Sequence, residues 1–340
     1  MKLNGRQLAG IGVAVGAVYG LFVRFMFGLG DAGSTFVVMS SSFILGAPFA
    51  LGFLSVWFGE SPTKHPFMVR LFLSWTASLA FMLGCLLLFW EGIICVIIWL
   101  PLTLVLSSLG GAVAGLIRYL IRKSAARNSC VVLVAGLPFL LAPLEKFKAT
   151  ASEIRTVQTQ IEINGPAAAV WQQIKSVPAI QENEQSLDFS HVIGFPRPVE
   201  AVLSGSGLGA VRYARFEGNV LFVETITEWR ENERLSFHIQ ADTAHIPPTT
   251  FDEHVTVGGR YFDVLQGTYW IEPLATNRVI LHLASNQRLS THFNFYAHWW
   301  TEALMADLQN YILKIIKHRV EHPSPTAGVA TAILIKSPRA

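Results

Sequence analysis

The sequence predicts an α-helical membrane bundle followed by an α+β domain in which a curved antiparallel sheet wraps a long C-terminal helix. The chain has 340 residues, of which 51% are hydrophobic and only 14% are charged, whereas a soluble domain carries about 25% charged residues. Residues 1–149 contain 11 Lys and Arg and 4 Asp and Glu, and residues 150–340 contain 15 and 19. Strand-type alternation begins only in the second part. We therefore expect a membrane domain over 1–148, a second domain over 150–322 and a disordered tail over 323–340.

The first part contains about five predicted transmembrane helices. Crossing roughly 30 Å of hydrocarbon takes about 20 apolar residues at 1.5 Å per residue, and the predominantly apolar residues 8–29, 34–58, 67–90 and 92–117 meet that length. A fifth run over 128–144 is shorter and includes Pro138 and Pro143. We count it as a fifth span, and a re-entrant segment is the alternative.

The basic residues of the first part predict its orientation, because short cytoplasmic loops carry an excess of Lys and Arg. They precede span one, surround the second loop and follow span four: Lys2, Arg6, Lys64, Arg70, Arg118, Arg122, Lys123 and Arg127. This pattern predicts an integral protein of a bacterial inner membrane with a cytoplasmic N-terminus. Five spans would place the C-terminal domain on the extracytoplasmic side, and four spans would leave it in the cytoplasm.

Two features of the first span invite a structural and a functional interpretation. Gly12, Gly16 and Gly20 recur every four residues, a spacing that lets helices approach closely in lipid. Packing within the bundle is the favoured interpretation, and a homo-oligomer through these glycines is the alternative. Arg24 is a charge inside a predicted span, which suggests a functional role in general, but its position near the helix end favours snorkelling to the interface.

The second part predicts seven strands and a long amphipathic helix. Val157, Thr159, Ile161 and Ile163 alternate with polar residues on the first strand. Asn164-Gly165-Pro166 then ends that strand and begins a short helix. Further strands are expected over 200–204, 210–216, 221–229, 234–240, 261–272 and 278–287, followed by a helix over 294–320. This order indicates an α+β domain.

Four stretches of the second part carry a resemblance to a known superfamily: IEINGPAAAVWQQI, GAVRYARFEGNVLFVETITEWRENERLSFHI, GTYWIEP and FYAHWWTEALMADLQNYILKIIKHR. Together they resemble the START-like superfamily, in particular its polyketide cyclase/dehydrase and lipid-transport branch, over about residues 155–322. The resemblance implies a helix-grip fold with a hydrophobic cavity between the sheet and the long helix. The membrane spans depart from the usual soluble member.

The candidate ligand-binding residues are those that the strand pattern or the aromatic content places near such a cavity. Arg212 and Glu224 lie in the middle of neighbouring strands, where they would either orient the polar end of a ligand or form an ion pair on the outer face. Asp263 has similar standing and shares a strand face with Tyr261. The remaining candidates are Trp229, His254, Tyr296 and Trp300.

No cofactor or metal is expected. Asp252, Glu253 and His254 match the spacing of no established metal site, and we interpret their surroundings, residues 241–259, as a loop long enough to act as a lid. The second part contains no cysteine, so it has no disulfide and no cysteine nucleophile. The basic first part and the mildly acidic second part do not favour a nucleic-acid partner.

The favoured function is therefore binding or transport of a hydrophobic small molecule, such as a lipid, isoprenoid or polyketide, by a domain anchored in the lipid bilayer. One alternative is an enzyme of the cyclase or aromatase type, with Glu224 or Asp263 as acid or base; we favour the binding protein. A ligand sensor that signals through the membrane spans is the other alternative.

Overall fold

The structure is a computed structural model that describes residues 4–30, 34–61, 66–121, 124–145, 147, 150–242 and 256–323. The chain divides into two compact units. The first consists of Met1–Ala151 with Thr291–Asn294, and the second of Ser152–Ser290 with Phe295–Ala340. Residues 324–340 of the predicted tail and most of the predicted lid loop, including His254, lie outside the described residues.

The first unit is helical. Its helices are α1 (Gly5–Gly28), α2 (Ser41–Ile44), α3 (Gly46–Gly59), α4 (Pro66–Leu87), α5 (Ile93–Leu120) and α6 (Ser124–Glu145). Within the described residues, five helical segments are long and apolar enough to cross a membrane, with α2 and α3 together forming one of them. The short fifth run of the sequence is part of a helix of 22 residues that continues through Pro138 and Pro143.

The three glycines of α1 are packed inside this helical unit. A Cβ atom on Gly12 would lie 2.2 Å from the backbone oxygen of Ser55, and one on Gly16 would lie 3.1 Å from the Cβ of Ala77. Gly20 is buried on the same face. Packing of α1 against α3 and α4 within one chain therefore accounts for the glycine spacing, and we do not propose an oligomer through these residues.

Arg24 forms a buried ion pair, a partner that its position near a helix end did not predict. Its side chain approaches that of Glu91 to 2.5 Å and donates a second hydrogen bond of 2.6 Å to the Trp90 carbonyl. Arg24 and Glu91 are each 8% exposed. Glu91 lies in the segment between α4 and α5, 67 positions after Arg24 in the chain. A prediction made from one span alone cannot identify so distant a partner.

The second unit contains seven strands and a long C-terminal helix, as predicted. The elements are β1 (Glu153–Ile163), α7 (Ala167–Lys175), α8 (Phe189–Val192), β2 (Pro198–Leu203), β3 (Val211–Phe216), β4 (Leu221–Arg230), β5 (Arg234–Asp242), β6 (Phe262–Ala275), β7 (Arg278–Leu289) and α9 (Asn294–Glu321). The strands form one antiparallel sheet in the order β1-β7-β6-β5-β4-β3-β2. Predicted and observed strand bounds differ by at most three residues.

The strand register defines two ends of this domain. At the entry end, β1 begins beside the end of β7 and the beginning of β6, because Leu289 pairs with both Glu153 and Phe262. The helix α9 also begins at this end, five residues after β7. At the far end, Glu321 near the end of α9 accepts a hydrogen bond of 2.8 Å from the backbone of Asn164, just after β1.

The far end is filled by a tightly packed core. Trp171 of α7 is fully buried and meets Trp229 of β4 edge to face, with 5.2 Å between ring centroids. Aliphatic and aromatic side chains from the sheet, α7 and α9 complete this cluster: Ile163, Val170, Ile174, Ile226, Leu235, Phe237, Tyr269, Ile271, Val279, Leu281, Leu283, Leu313 and Ile316. The core thus anchors α7 and the second half of α9 to the sheet.

Candidate ligand-binding cavity

A cavity of about 160 Å³ lies in the second unit, between the concave face of the sheet and α9. Most of its wall is apolar: Val177, Ile180, Phe195, Pro196, Pro198, Ala201, Ala214, Phe216, Val220, Phe222, Phe237, Ile239, Val257, Phe262, Val264, Gly267, Leu283, Met305, Leu308, Ile312, Ile315 and Ile316. The polar residues of the wall are Glu200, Arg212, Glu224, Tyr269, Ser285 and Gln309. An apolar wall with a few polar groups is typical of small-molecule sites.

On the sheet, the wall of the cavity lies mainly toward the entry end, whereas on α9 it extends as far as Ile316. Phe262 and Val264 are among the first residues of β6, which begins at that end, and Phe222 is the second residue of β4. Phe237 and Tyr269 are shared between the cavity wall and the packed core. They therefore form the floor of the cavity, where the core begins.

An ion pair between Arg212 and Glu224 lies at this floor. The two residues are direct partners across β3 and β4, and they are only 4% and 6% exposed. The Arg212 Nε donates to a Glu224 carboxylate oxygen, and its Nη1 donates a hydrogen bond of 2.5 Å to the Ile174 carbonyl of α7. The structure thus combines the two alternatives left open by the sequence: the residues are ion-paired across strands, and they face the interior.

Aromatic rings fix the position of the Arg212 guanidinium. Its central carbon lies 4.5 Å from the centroid of the Phe237 ring and 5.8 Å from that of Tyr269, distances at which a cation is attracted to a π face. Gly267 of β6 faces Phe237 across the strands. A Cβ atom at Gly267 would lie 2.5 Å from that ring, so glycine leaves the space that the ring needs.

Burial changes the acidity of the groups at the floor. Desolvation raises the pKa of the Glu224 carboxyl, and the adjacent Arg212 guanidinium limits the rise. Desolvation also raises the pKa of the Tyr269 hydroxyl, again against the effect of Arg212. Desolvation by burial opposes the charged form of Arg212, but the attraction and hydrogen bonds of Glu224 and Tyr269 together outweigh it, so the Arg212 pKa is raised. The pair has no net charge, and its charged groups are screened from water.

The helical wall of the cavity is attached to the sheet through Gln309. This side chain is 2% exposed, and its Nε2 donates to the Ser285 hydroxyl at 2.8 Å and to the Val157 carbonyl at 3.2 Å. Its Oε1 accepts a hydrogen bond of 2.9 Å from Thr159. The amide is therefore satisfied by β1 and β7, which favours a structural role over contact with a ligand.

The segment between α7 and β2 forms another wall of the cavity and is held on α9 by charges. Arg319 donates hydrogen bonds of 2.6 and 2.8 Å to the two carboxylate oxygens of Glu184, and Lys314 donates one of 2.9 Å to Asp188. The hydrogen bond from Arg319 is the main cause of a lowered pKa of the Glu184 carboxyl. These pairs secure the segment that contributes Val177 and Phe195 to the wall.

Of the predicted site residues, the structure brings Arg212 and Glu224 together at the cavity and leaves the other described ones out of its wall. Trp229 packs on Trp171 within the core. Tyr296 and Trp300 are half-buried near the beginning of α9, where Trp300 stacks on Phe189 with 6.5 Å between centroids. These aromatic residues contribute to packing outside the cavity wall.

Tyr261 and Asp263 are not among the residues that line the cavity, and an irregularity in β6 accounts for this at Asp263. Gly267, Tyr269 and Ile271 face inward, so the odd-numbered positions are interior over the second half of the strand. A bulge between Val264 and Gln266 shifts the alternation by one residue. Phe262 and Val264 therefore line the cavity in place of their odd-numbered neighbours.

The sequence analysis also missed the aromatic floor and the helical wall. Tyr269 could have been found from the same alternation, since it shares the inward face with Ile271. Met305 and Leu308 lie one helical turn apart on α9, but nothing in their spacing distinguishes a cavity wall from a packed core. Among the described residues, no group of three or more His, Cys, Asp or Glu side chains is arranged to hold a metal ion.

The topology and the cavity together decide the architecture of the second unit. It has a helix-grip fold, in which one antiparallel sheet curves around a long C-terminal helix. This agrees with the resemblance carried by the sequence, and it establishes a fold whose concave sheet encloses a cavity against the C-terminal helix.

Comparisons with known proteins give similarity over this half of the chain. No protein-family model matches the sequence, and no curated protein matches it. Among solved structures, a START superfamily protein from Mycobacterium smegmatis is 11% identical, covers 50% of this chain and 99% of its own, and has a TM-score of 0.33. Norcoclaurine synthase from Thalictrum flavum is 12% identical, with 51% and 90% covered and a TM-score of 0.30. A conserved protein of unknown function from Enterococcus faecalis is 12% identical, with 56% and 91% covered and a TM-score of 0.30.

Proposed function

We propose that the protein binds a hydrophobic small molecule in the helix-grip cavity and holds it at a membrane, either for storage or for transfer. The observation that carries this proposal is the apolar cavity with one buried ion pair at its floor. Removing an apolar molecule from water is favourable in proportion to the area it buries, and a single polar anchor is enough to orient it.

The volume of the cavity limits the size of the enclosed group. A closed apolar cavity of about 150 Å³ holds a molecule the size of benzene, and the cavity here measures about 160 Å³. A single ring, an isoprenoid unit or a short polyketide segment matches this volume. The two acyl chains of a phospholipid far exceed it, so we favour a compact ligand over a bilayer-forming lipid.

The floor of the cavity suggests which polar group this ligand carries. Because Arg212 and Glu224 neutralise each other, a charged ligand group would be buried without an opposite charge, at considerable cost. A neutral hydroxyl or carbonyl avoids that cost. Either group can accept a hydrogen bond from the guanidinium, and a hydroxyl can also donate one to the carboxylate. The preferred ligand is thus neutral, apolar and equipped with one hydrogen-bonding oxygen.

Anchoring in the bilayer supports a role in which the ligand does not cross the aqueous phase freely. Five helical segments of the described chain are long and apolar enough to span a membrane. A domain tethered beside the bilayer encounters membrane-dissolved molecules at a high effective concentration. This is the advantage that a fused membrane domain gives to a binding protein for hydrophobic compounds.

Occupancy of the cavity is tested by purifying the full chain in detergent and identifying extracted compounds by mass spectrometry. Ala214 lines the cavity and is 7% exposed, so Ala214→Phe places a ring in the space for the ligand. Ala284 alternates with the cavity-lining Leu283 and Ser285 and faces the other side of the sheet, so Ala284→Phe is the matched control. We expect a compound that is enriched in the wild type and the control and lost in Ala214→Phe. Equal recovery from all three proteins would contradict the proposal.

A second function is favoured by one observation, the raised pKa of the buried Glu224 carboxyl. A carboxyl group with a raised pKa inside a cavity is suited to general acid or base catalysis, as in a cyclase. The Glu224→Gln variant separates the two functions. A binding protein retains the same compound as the wild type, whereas an enzyme accumulates a different compound, its unconverted substrate.

We also propose that the second unit is extracytoplasmic in a bacterial inner membrane. The distribution of basic loop residues and the 22-residue length of α6 support five crossings. Cys85, Cys95 and Cys130 are the native cysteines, and replacing them by Ser leaves a background for a single Leu208→Cys probe, since Leu208 is 71% exposed. An impermeant thiol reagent should label this residue in intact spheroplasts. Labelling only after lysis would place the domain in the cytoplasm.

A further inference from the structure

Two large aromatic side chains are exposed at the entry end of the second unit. Phe295 and Trp299 lie four positions apart near the beginning of α9, so they share one face of the helix. They are 59% and 66% exposed. We call these two residues the aromatic face. The adjacent Trp300 stacks on Phe189, which is itself 47% exposed, so apolar surface continues beside the aromatic face.

The aromatic face lies at the end of the domain where the cavity is found. Met305 lines the cavity and is six residues after Trp299, which corresponds to about 9 Å along the axis of α9. Phe262 and Val264 line the cavity from the first residues of β6. The opposite end is closed by the packed core around Trp171. A ligand therefore has its shortest path into the cavity from the end that carries the aromatic face.

The same end is where the chain enters the domain from its membrane-spanning part. Helix α6 ends at Glu145 and β1 begins at Glu153, so eight residue steps connect them, and these reach at most about 28 Å. The Ser152 hydroxyl, just before β1, accepts a hydrogen bond of 3.1 Å from Ser290, just after β7. The covalent connection thus limits how far the entry end can move from the end of a predicted span.

We propose that Phe295 and Trp299 insert into the headgroup region of the lipid bilayer, and that the ligand passes between bilayer and cavity at this end. Tryptophan is enriched at membrane interfaces because its ring combines an apolar body with a polar N–H group. Two exposed aromatic rings on one helix face also match the apolar side of an interfacial helix. The route of the ligand rests on the proposed function, whereas the contact with lipid does not.

The contact is tested in the full chain with an environment-sensitive fluorophore on a single cysteine. The probe position is Phe295→Cys with Trp299 intact, in the background without native cysteines, reconstituted into phosphatidylcholine and phosphatidylglycerol vesicles. Part of the phosphatidylcholine carries a nitroxide on the upper acyl chain. The control is Leu208→Cys, since Leu208 is an exposed apolar residue in the turn between β2 and β3 at the far end.

We expect the nitroxide lipid to quench the label at position 295 several-fold more than the label at position 208. Replacing Trp299 by Glu should reduce the quenching at position 295, because a charge opposes insertion. Equal quenching at the two positions would overturn the proposal. So would a label at position 295 that is shielded only at a high ratio of protein to lipid, since that result would indicate a second copy of the chain.

The two proposals fail in different ways. If the cavity binds no ligand, Ala214→Phe and the wild type will yield the same extract, while the lipid quenching at position 295 persists. If the aromatic face does not contact lipid, the quenching is absent, while the wild type still retains its compound. When both hold, Trp299→Glu should slow uptake of the extracted compound from donor vesicles and leave its retention in detergent unchanged.

Discussion

Removing one partner of the Arg212–Glu224 pair is expected to destabilise the second unit more than removing both. The single variants are Arg212→Met and Glu224→Leu, and the double variant combines them. Each single variant leaves one charge at a site that is only 4% or 6% exposed. The double variant leaves two apolar side chains against the apolar wall of the cavity.

The size of the difference follows from the burial of the pair. Breaking a buried ion pair costs about 3–5 kcal/mol because the remaining charge is uncompensated, whereas replacing the whole pair by apolar residues is often neutral or stabilising. Arg212 also donates to the Ile174 carbonyl, and losing that donor costs about 1–3 kcal/mol. We therefore expect each single variant to lose about 3–5 kcal/mol and the double variant to lose at most about 3 kcal/mol.

Amide hydrogen exchange in β3 and β4 of the full chain in detergent gives the free energy of opening for this part of the sheet. The four proteins form a double-mutant cycle, and the reasoning requires a coupling energy of at least about 3 kcal/mol. Losses that add to within about 0.5 kcal/mol would refute it, because they would show that the two charges do not depend on each other.

Three other perturbations test packing and charge elsewhere in the chain. Gly267→Ala places a Cβ atom 2.5 Å from the Phe237 ring. We expect overpacking to lower the free energy of opening by about 1–3 kcal/mol, measured by the same exchange method. An unchanged free energy of opening would show that the ring moves freely. Because the pKa of Glu184 is lowered in the folded state, its stabilising contribution is complete above the ordinary carboxyl range and is lost as the pH falls through the lowered value. Glu184→Gln should therefore make the free energy of unfolding fall less steeply at acidic pH. Parallel plots of this free energy against pH for the variant and the wild type would contradict this. Gly12→Ala should lower the thermal midpoint in detergent because the Cβ atom meets the backbone of α3, whereas Gly10→Ala on the same helix has open space and should leave it unchanged; equal shifts would exclude close packing at Gly12.

The elements of the second unit could be predicted closely from the sequence because each depends on local features. The alternation of β1 places Val157 and Ile163 inward in the structure as in the sequence, and Asn164 with Pro166 marks the end of the strand and the beginning of α7. The spacing of apolar residues likewise predicts α9 to within one residue of its observed end. Local patterns of this kind do not depend on the rest of the fold.

The candidate site was less predictable because its geometry depends on long-range packing. The bulge between Val264 and Gln266 changes which residues of β6 face the cavity, and the adjacent Gly267 is a signal of such an irregularity that the sequence analysis did not use. The sequence analysis gave an ion pair between Arg212 and Glu224 only as one alternative and placed it on the outer face, because a strand pattern does not define the register of β3 against β4. The face of the sheet that carries the ion pair became clear only from the structure, in which the sheet curves around α9.

The unequal filling of the two ends of the helix-grip domain has a thermodynamic consequence. Side chains leave about 160 Å³ unfilled at the entry end, and residual cavity volume in a protein costs about 24 cal/mol per Å³. For a closed, dry cavity of this volume the loss relative to a filled core would be about 4 kcal/mol, so the domain forgoes at most that amount, a large part of the 5–15 kcal/mol typical of folded domains. If the proposed ligand fills this space, it would restore the missing packing as an exchangeable part of the hydrophobic core, and the folded population would depend on its concentration.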